Sequence, residues 1–223
     1  MVNDTAEAAA VAAAQRIADE LAGAVIARGR ATVALSGGST PLPMFERLAG
    51  LPLPWAHVHV FQVDERAVAA ADDSRNWLHQ QSVAQRVPEK NRHPMPVERS
   101  DGDLAYSTVL QETVGLPPIF DVVHLGIGDD GHTASLFPGD PALSTFDHDV
   151  VWTEVHRGHR RLTLTLPVLS RARHQVWLVA GSGKAAAVRQ LTEPVAEAPA
   201  AMVAAGAAAT LFSDPDAACM LLS

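Results

Sequence analysis

Cysteine is nearly absent. One residue, Cys219, occurs in 223, which excludes a disulfide scaffold and a zinc site built from cysteines. Lysine is almost as scarce. Lys90 and Lys184 are the only two, and Lys plus Arg total 17 against 25 Asp plus Glu, a formal net charge of −8. No basic block occurs, which argues against a groove for nucleic-acid backbone. An acidic chain that binds an anion must gather positive potential locally, against its own overall field. Long apolar runs are missing too. The weakly polar stretch from Ala200 to Phe212 is mostly alanine and too short to span a bilayer. Asp4 and Glu7 stand where a secretory signal would carry basic residues. Cytoplasmic residence, with neither membrane nor nucleic acid as partner, is the expectation.

What is present is 48% hydrophobic residues, enough at this length to bury roughly 70–75% of the unfolded surface without staples. Thr5 to Arg28 is alanine-rich, with Val11, Ile17, Leu21 and Val25 at near-helical spacing, and predicts an amphipathic helix. Apolar segments at 31–36, 57–63, 120–127, 150–155, 161–166, 174–180 and 210–213 predict strands. Helices are predicted from Pro41 to about Leu48, over 74–87 and 103–114, from about Lys184, and after Asp214. This alternation predicts a single α/β domain over 1–223: a Rossmann-like three-layer sandwich with a mostly parallel sheet covered by helices on both faces.

Two glycine loops follow predicted strands. In Ser36-Gly37-Gly38-Ser39-Thr40-Pro41, adjacent glycines let the backbone turn sharply and approach a ligand. Ser39 or Thr40 can cap the next helix, and exposed N–H groups with the helix dipole favour a phosphate. A tight capped turn with no ligand fits the spacing equally well. Gly126-Ile127-Gly128-Asp129-Asp130-Gly131-His132-Thr133 ends the most apolar strand, the edge where open α/β sheets bind ligands. His132 is reachable among glycines and suited to proton transfer near neutrality, and Asp130 can orient its imidazole. Of the other histidines, His57, His59, His124 and His174 fall in strands and are expected to be packed or at sheet edges. His79, His93, His148, His156 and His159 are expected in solvent. No histidine pair has the spacing and acidic company of a zinc helix.

The charged run Asp64-Glu65-Arg66, with Asp72, Asp73, Arg75 and Asn76 behind it, reads by itself as a solvated turn. Arg161 opens a strand and Lys184 stands at a helix start, where a cation opposes the dipole unless an anion lies nearby. Lys184 does not belong to a Walker loop, because Leu178 occupies the first glycine position and Ala185 follows the lysine.

Taken together these segments resemble the 6-phosphogluconolactonase family. The resemblance is carried by the 36–41 loop, Asp-Glu-Arg at 64–66, Asp-Asp-Ser-Arg-Asn at 72–76 and Leu-Gly-Ile-Gly-Asp-Asp-Gly-His-Thr-Ala-Ser-Leu-Phe-Pro at 125–138. Arg-Leu-Thr-Leu-Thr at 161–165, Gly-x-x-Lys at 181–184 and Asp214 ahead of Ala217-Ala218 add to it. The motifs run in family order from about residue 10 onward. The resemblance implies hydrolysis of 6-phospho-D-glucono-1,5-lactone to 6-phosphogluconate, the second step of the oxidative pentose phosphate pathway, with no metal or organic cofactor. It implies His132 as general base and Asp130 as its supporting carboxylate. Gly37, Gly38, Ser39, Thr40, Arg161 and Lys184 would hold the phosphate, and Asp64, Arg66 and Asn76 would line the sugar end.

His156-Arg157-Gly158-His159-Arg160 stands where the family carries a Lys-Pro segment, so Arg157 or Arg160 can share the role of Arg161. Two alternatives remain. Glucosamine-6-phosphate deaminases share the Asp-Gly-His core but continue differently from Thr133-Ala134-Ser135-Leu136-Phe137-Pro138. A non-catalytic sugar-phosphate sensor would need an added DNA-binding module. The expected partner is a small sugar-phosphate lactone, and the expected state is a monomer.

Overall fold

The computed structural model describes residues 1–192 and 197–221. The single-domain expectation spans 1–223, of which 193–196 and 222–223 lie outside the described residues.

Helix α1 (Ala6–Arg28) begins and ends where local chemistry dictates. The Thr5 hydroxyl accepts from the Ala8 amide, and Gly29, at φ 74°, turns the chain out in the left-handed conformation that glycine adopts without penalty. The helix delivers the chain to β1 (Ala31–Leu35). Then follow α2 (Leu42–Ala49), β2 (Val58–Gln62), β3 (Asp64–Arg66), α3 (Asn76–His79), α4 (Gln81–Ala84), β4 (Arg92–His93), α5 (Gly102–Thr113) and β5 (Val122–Leu125). The second half contains β6 (Val150–Trp152), β7 (Arg161–Leu164), α6 (Leu166–Ser170), β8 (His174–Val179), α7 (Ala185–Thr192), α8 (Pro199–Ala204), β9 (Ala208–Ser213) and α9 (Pro215–Ala218).

Among the described residues six strands form a parallel sheet in the order β4-β2-β1-β5-β8-β9. Period-two alternation assigns side chains to its two faces. Val33 and Leu35 of β1, Val122 of β5, and Val176 and Leu178 of β8 join a core with Ala13, Ile17 and Leu21 of α1 and Phe45 of α2. Ala34, Val123, Leu125, Trp177 and Val179 point the other way, into a core with Tyr106 and Leu110 of α5. The alanines of α1 have a packing reason. Ala9, Ala13 and Ala14 are fully buried, and small side chains let the helix lie close on the sheet.

Three expectations are corrected. The strands at 150–152 and 161–164 do not join the parallel sheet but form a second, antiparallel sheet, β3-β7-β6. One of its edge strands is Asp64-Glu65-Arg66, so this run is a strand with Asp64 and Glu65 buried rather than a solvated turn. The helix expected over 74–87 is broken at Gln80, whose buried side chain donates from Nε2 to the Leu35 carbonyl at 2.8 Å. Among the described residues no helix is long and apolar enough to cross a membrane.

The chain leaves β1 toward β2 on one side and returns to β5 on the other. The loops after β1 and β5 therefore part at their carboxyl ends and leave a crevice, the place where open α/β sheets bind ligands.

Candidate active site

A cleft of about 430 Å³ opens at that crevice. The loop Ser36–Pro41 forms one wall, and Gly126, Gly128 and His132 lie across from it. Asp64, Arg66, Asn76, Arg161 and Lys184 complete the lining. The structure thus gathers the residues that the resemblance assigns to the site: all line the cleft but Asp130, which stands against His132.

The loop after β5 is tight. The Gly128 amide donates to the His132 carbonyl at 2.8 Å, the Gly131 amide to the Gly128 carbonyl at 3.0 Å, and the Thr133 hydroxyl to the Gly126 carbonyl at 2.8 Å. Gly131 takes φ 79°, a backbone conformation that favours glycine. The turn brings Asp130 back onto His132. Asp130 Oδ1 accepts from the His132 amide at 3.2 Å and from Nδ1 of its ring. A carboxylate on Nδ1 fixes the tautomer and leaves the lone pair on Nε2.

Burial pulls the His132 pKa below its usual 6.5, against the opposing pull of Asp130. Burial by itself would raise Asp130, but the hydrogen bonds and charge of His132 together outweigh it and hold the carboxyl low. At neutral pH the pair is therefore a neutral imidazole beside a carboxylate. Phe137 lies under the ring, with centroids 4.4 Å apart.

Gly128 makes this geometry possible. A Cβ there would stand 2.6 Å from Asp130 Oδ1 and closer still to Nδ1 and Cε1 of His132. Gly128→Ala is expected to push the imidazole off Asp130 and lower kcat about 100-fold, as misplacement by an ångström does, with Tm little changed. A kcat near wild type would show that the ring position tolerates the methyl.

The opposite wall is set by Glu65. Its Oε1 accepts from the amides of Arg66 and Asn76, both at 2.8 Å. Its Oε2 accepts from the Trp77 amide at 2.8 Å and Gln62 Nε2 at 2.9 Å, and Arg75 Nε lies 3.4 Å away. The first amides of α3 lack a cap from their own segment, and this carboxylate from β3 supplies it. Asn76, thus fixed, donates from Nδ2 to Asp64 Oδ1 at 3.1 Å, and the Ser135 hydroxyl donates to Asp64 Oδ2 at 2.6 Å. Burial raises the Asp64 pKa, opposed by the Ser135 hydrogen bond. Gly37 must be glycine, because a Cβ would stand 2.6 Å from Asn76 Cβ and closer to its amide.

The cations are held by different partners. Arg66 Nη1 donates to the Ser74 carbonyl. Arg161 Nη1 donates to the carbonyls of His156 and His159 at 2.6 and 3.3 Å, and its guanidinium lies 5.1 Å from the Phe137 ring centre. Lys184 pairs with Asp129. It sits in a short 3-10 turn before α7, behind Gly181, whose amide is held by the buried Asp214.

Several sequence expectations fail in detail. Neither Ser39 nor Thr40 caps α2, which starts behind Pro41 without a side-chain cap. His57 lies exposed in a 3-10 turn. Four histidines expected in solvent, His79, His93, His156 and His159, are half-buried with partners. His79 Nδ1 accepts the Gly38 amide at 3.0 Å, and His156 Nε2 bonds Asp140 at 2.6 Å. His93 stacks on Phe61 and is pushed by burial to a pKa of about 4. His159 is half-buried, pairing with His156 backbone to backbone. Of the two spare arginines, Arg157 lines the cleft, whereas Arg160 packs over Trp152, 4.7 Å from its ring centre. Sequence reasoning missed Ser135 and Phe137 as site residues, although both lie in the 125–138 run.

Residues 4–212 match the family of glucosamine-6-phosphate isomerases/6-phosphogluconolactonase. A 6-phosphogluconolactonase of Synechocystis is 42% identical over 188 residues, covering 78% of this chain and 76% of its own. The solved 6-phosphogluconolactonase of Shewanella baltica is similar at TM-score 0.81 and 30% identity over 96% of both chains. The Trypanosoma brucei structure is similar at TM-score 0.88 and 25% identity, over 99% of this chain and 97% of that one. With nearly its whole length matched, the chain belongs to the glucosamine-6-phosphate isomerase/6-phosphogluconolactonase family.

Proposed function

We propose that this protein hydrolyses 6-phospho-D-glucono-1,5-lactone to 6-phosphogluconate in the oxidative pentose phosphate pathway, by general-base activation of water. The observation that carries the mechanism is the bond from His132 Nδ1 to Asp130, in a cleft whose far wall is the Gly37–Thr40 loop. Family relatives named 6-phosphogluconolactonase support the substrate.

The phosphate sits against Gly37, Gly38, Ser39 and Thr40, with Arg161 and Lys184 supplying charge. Asp64, Asn76 and Arg66 take the sugar end. Water attacks C1 as Nε2 of His132 accepts its proton. The tetrahedral oxyanion draws on Arg66 and nearby backbone amides. Collapse breaks the bond from C1 to the ring oxygen, and the imidazolium returns its proton to that oxygen. The new carboxylic acid then ionises and releases one proton to solution. The chain is taken to work as one unit over 1–223, as a cytoplasmic monomer.

The test is proton release from freshly made lactone, with and without the protein, after subtraction of spontaneous hydrolysis. A rate no higher than the background refutes the proposal, and ammonia release from glucosamine 6-phosphate would point to the deaminase activity instead. Lys184→Ala is expected to raise KM about tenfold, the worth of one charge-assisted contact, with kcat nearly unchanged. An unchanged KM removes Lys184 from the phosphate site.

A further inference from the structure

Among the described residues four cations line the cleft, Arg66, Arg157, Arg161 and Lys184, and they are not equally committed. Arg66 and Arg161 donate to backbone carbonyls, which are fixed parts of the fold. Lys184 and Arg157 face side-chain carboxylates instead. These are the consecutive Asp129 and Asp130, with Arg157 Nη2 at 3.8 Å from Asp130 Oδ2 and its side chain 64% exposed. Two neighbouring carboxylates on one glycine loop thus hold two cations at the cleft. Together they present two negative charges, as a phosphate dianion does.

Arg157 is put there by a built turn. It takes φ 50° and Gly158 φ 83°, between His156 and His159, which pair backbone to backbone. A bulky residue in the left-handed region needs its surroundings to keep it there. The His156 ring supplies two anchors: Nε2 bonds the buried Asp140 at 2.6 Å, and the ring stacks on Phe137 at 4.1 Å. Arg161 supplies a third by gripping both ends of the turn from below. The turn is fixed while the guanidinium at its tip is exposed.

We propose that Arg157 is an exchanging anion contact that rests on Asp130 and transfers to the phosphate of the ligand, as Lys184 transfers from Asp129. The inference takes its ligand from the proposed function. Exchange has a consequence for the dyad: Asp130 then serves His132 alone, and a cation that opposes protonation of the imidazole is drawn away from it.

The test is calorimetric binding of 6-phosphogluconate and of gluconate to the wild type, Arg157→Ala and Arg157→Lys. Arg157→Ala is expected to weaken 6-phosphogluconate binding about tenfold or more and to leave gluconate binding unchanged. Arg157→Lys keeps the charge without the planar fork and recovers part of the loss. A dissociation constant for 6-phosphogluconate within about twofold of wild type in Arg157→Ala overturns the inference, as does equal weakening of both ligands. Lactone hydrolysis is a separate readout. If the wild type binds 6-phosphogluconate through Arg157 but does not hydrolyse the lactone, the proposed function falls and this contact stands. If it hydrolyses the lactone and Arg157→Ala binds normally, the contact falls alone.

Discussion

Replacing His132 by alanine is expected to lower kcat about 100- to 10,000-fold, the range for loss of a general base, while KM changes little. The reason lies in the division of labour across the cleft. In the proposed mechanism the imidazole meets the attacking water, whereas the phosphate falls to the Gly37–Thr40 loop, Arg161 and Lys184, which line the same cleft. Loss of the base therefore removes an interaction made in the transition state and not in the ground state. The fold is expected to survive, since His132 borders open space. A variant with near wild-type kcat would remove His132 from the role, and a KM rising in step with the loss would assign it to binding.

The largest effect on stability is expected at Glu65. It is fully buried, with four donors on its carboxylate and the Arg75 guanidinium beside it. Glu65→Ala strands those donors and leaves Arg75, itself buried, with the exposed Glu98 as its one charge partner among the described residues. Breaking a buried pair from one side costs about 3–5 kcal/mol. Denaturant unfolding should show a loss of that size, with KM raised as well, because the same carboxylate fixes Asn76 and the backbone of Arg66. A loss under about 1 kcal/mol would place the residue among ordinary surface acids.

Local signals were readable in the sequence wherever the partners are local. Thr5 and Gly29 bound α1 because a cap and a left-handed turn need only neighbours. The loop after β5 was readable because glycines and a histidine two residues from an aspartate make their contacts within one turn. Asp64-Glu65-Arg66 was not. Three charges in a row ordinarily seek water, and what buries them is supplied from residues up to 71 positions away, Ser135 among them. The break at Gln80 depends on the Leu35 carbonyl, 45 residues distant. The choice between Arg157 and Arg160 depended on Phe137 and Asp140, which no spacing around the arginines reveals. The parallel order followed from alternation, but the separate sheet of β3, β7 and β6 required knowing that Arg66 lies opposite Arg161.

The pH dependence of kcat/KM for the lactone tests the central claim most directly. In the proposed mechanism His132 acts as the neutral ring, and burial places its pKa below 6.5. Activity should therefore be full at neutral pH and fall tenfold per pH unit only once the pH drops beneath that value. A rate that rises with hydroxide through neutrality, or one that is flat through the acid range, would contradict an imidazole acting as the base.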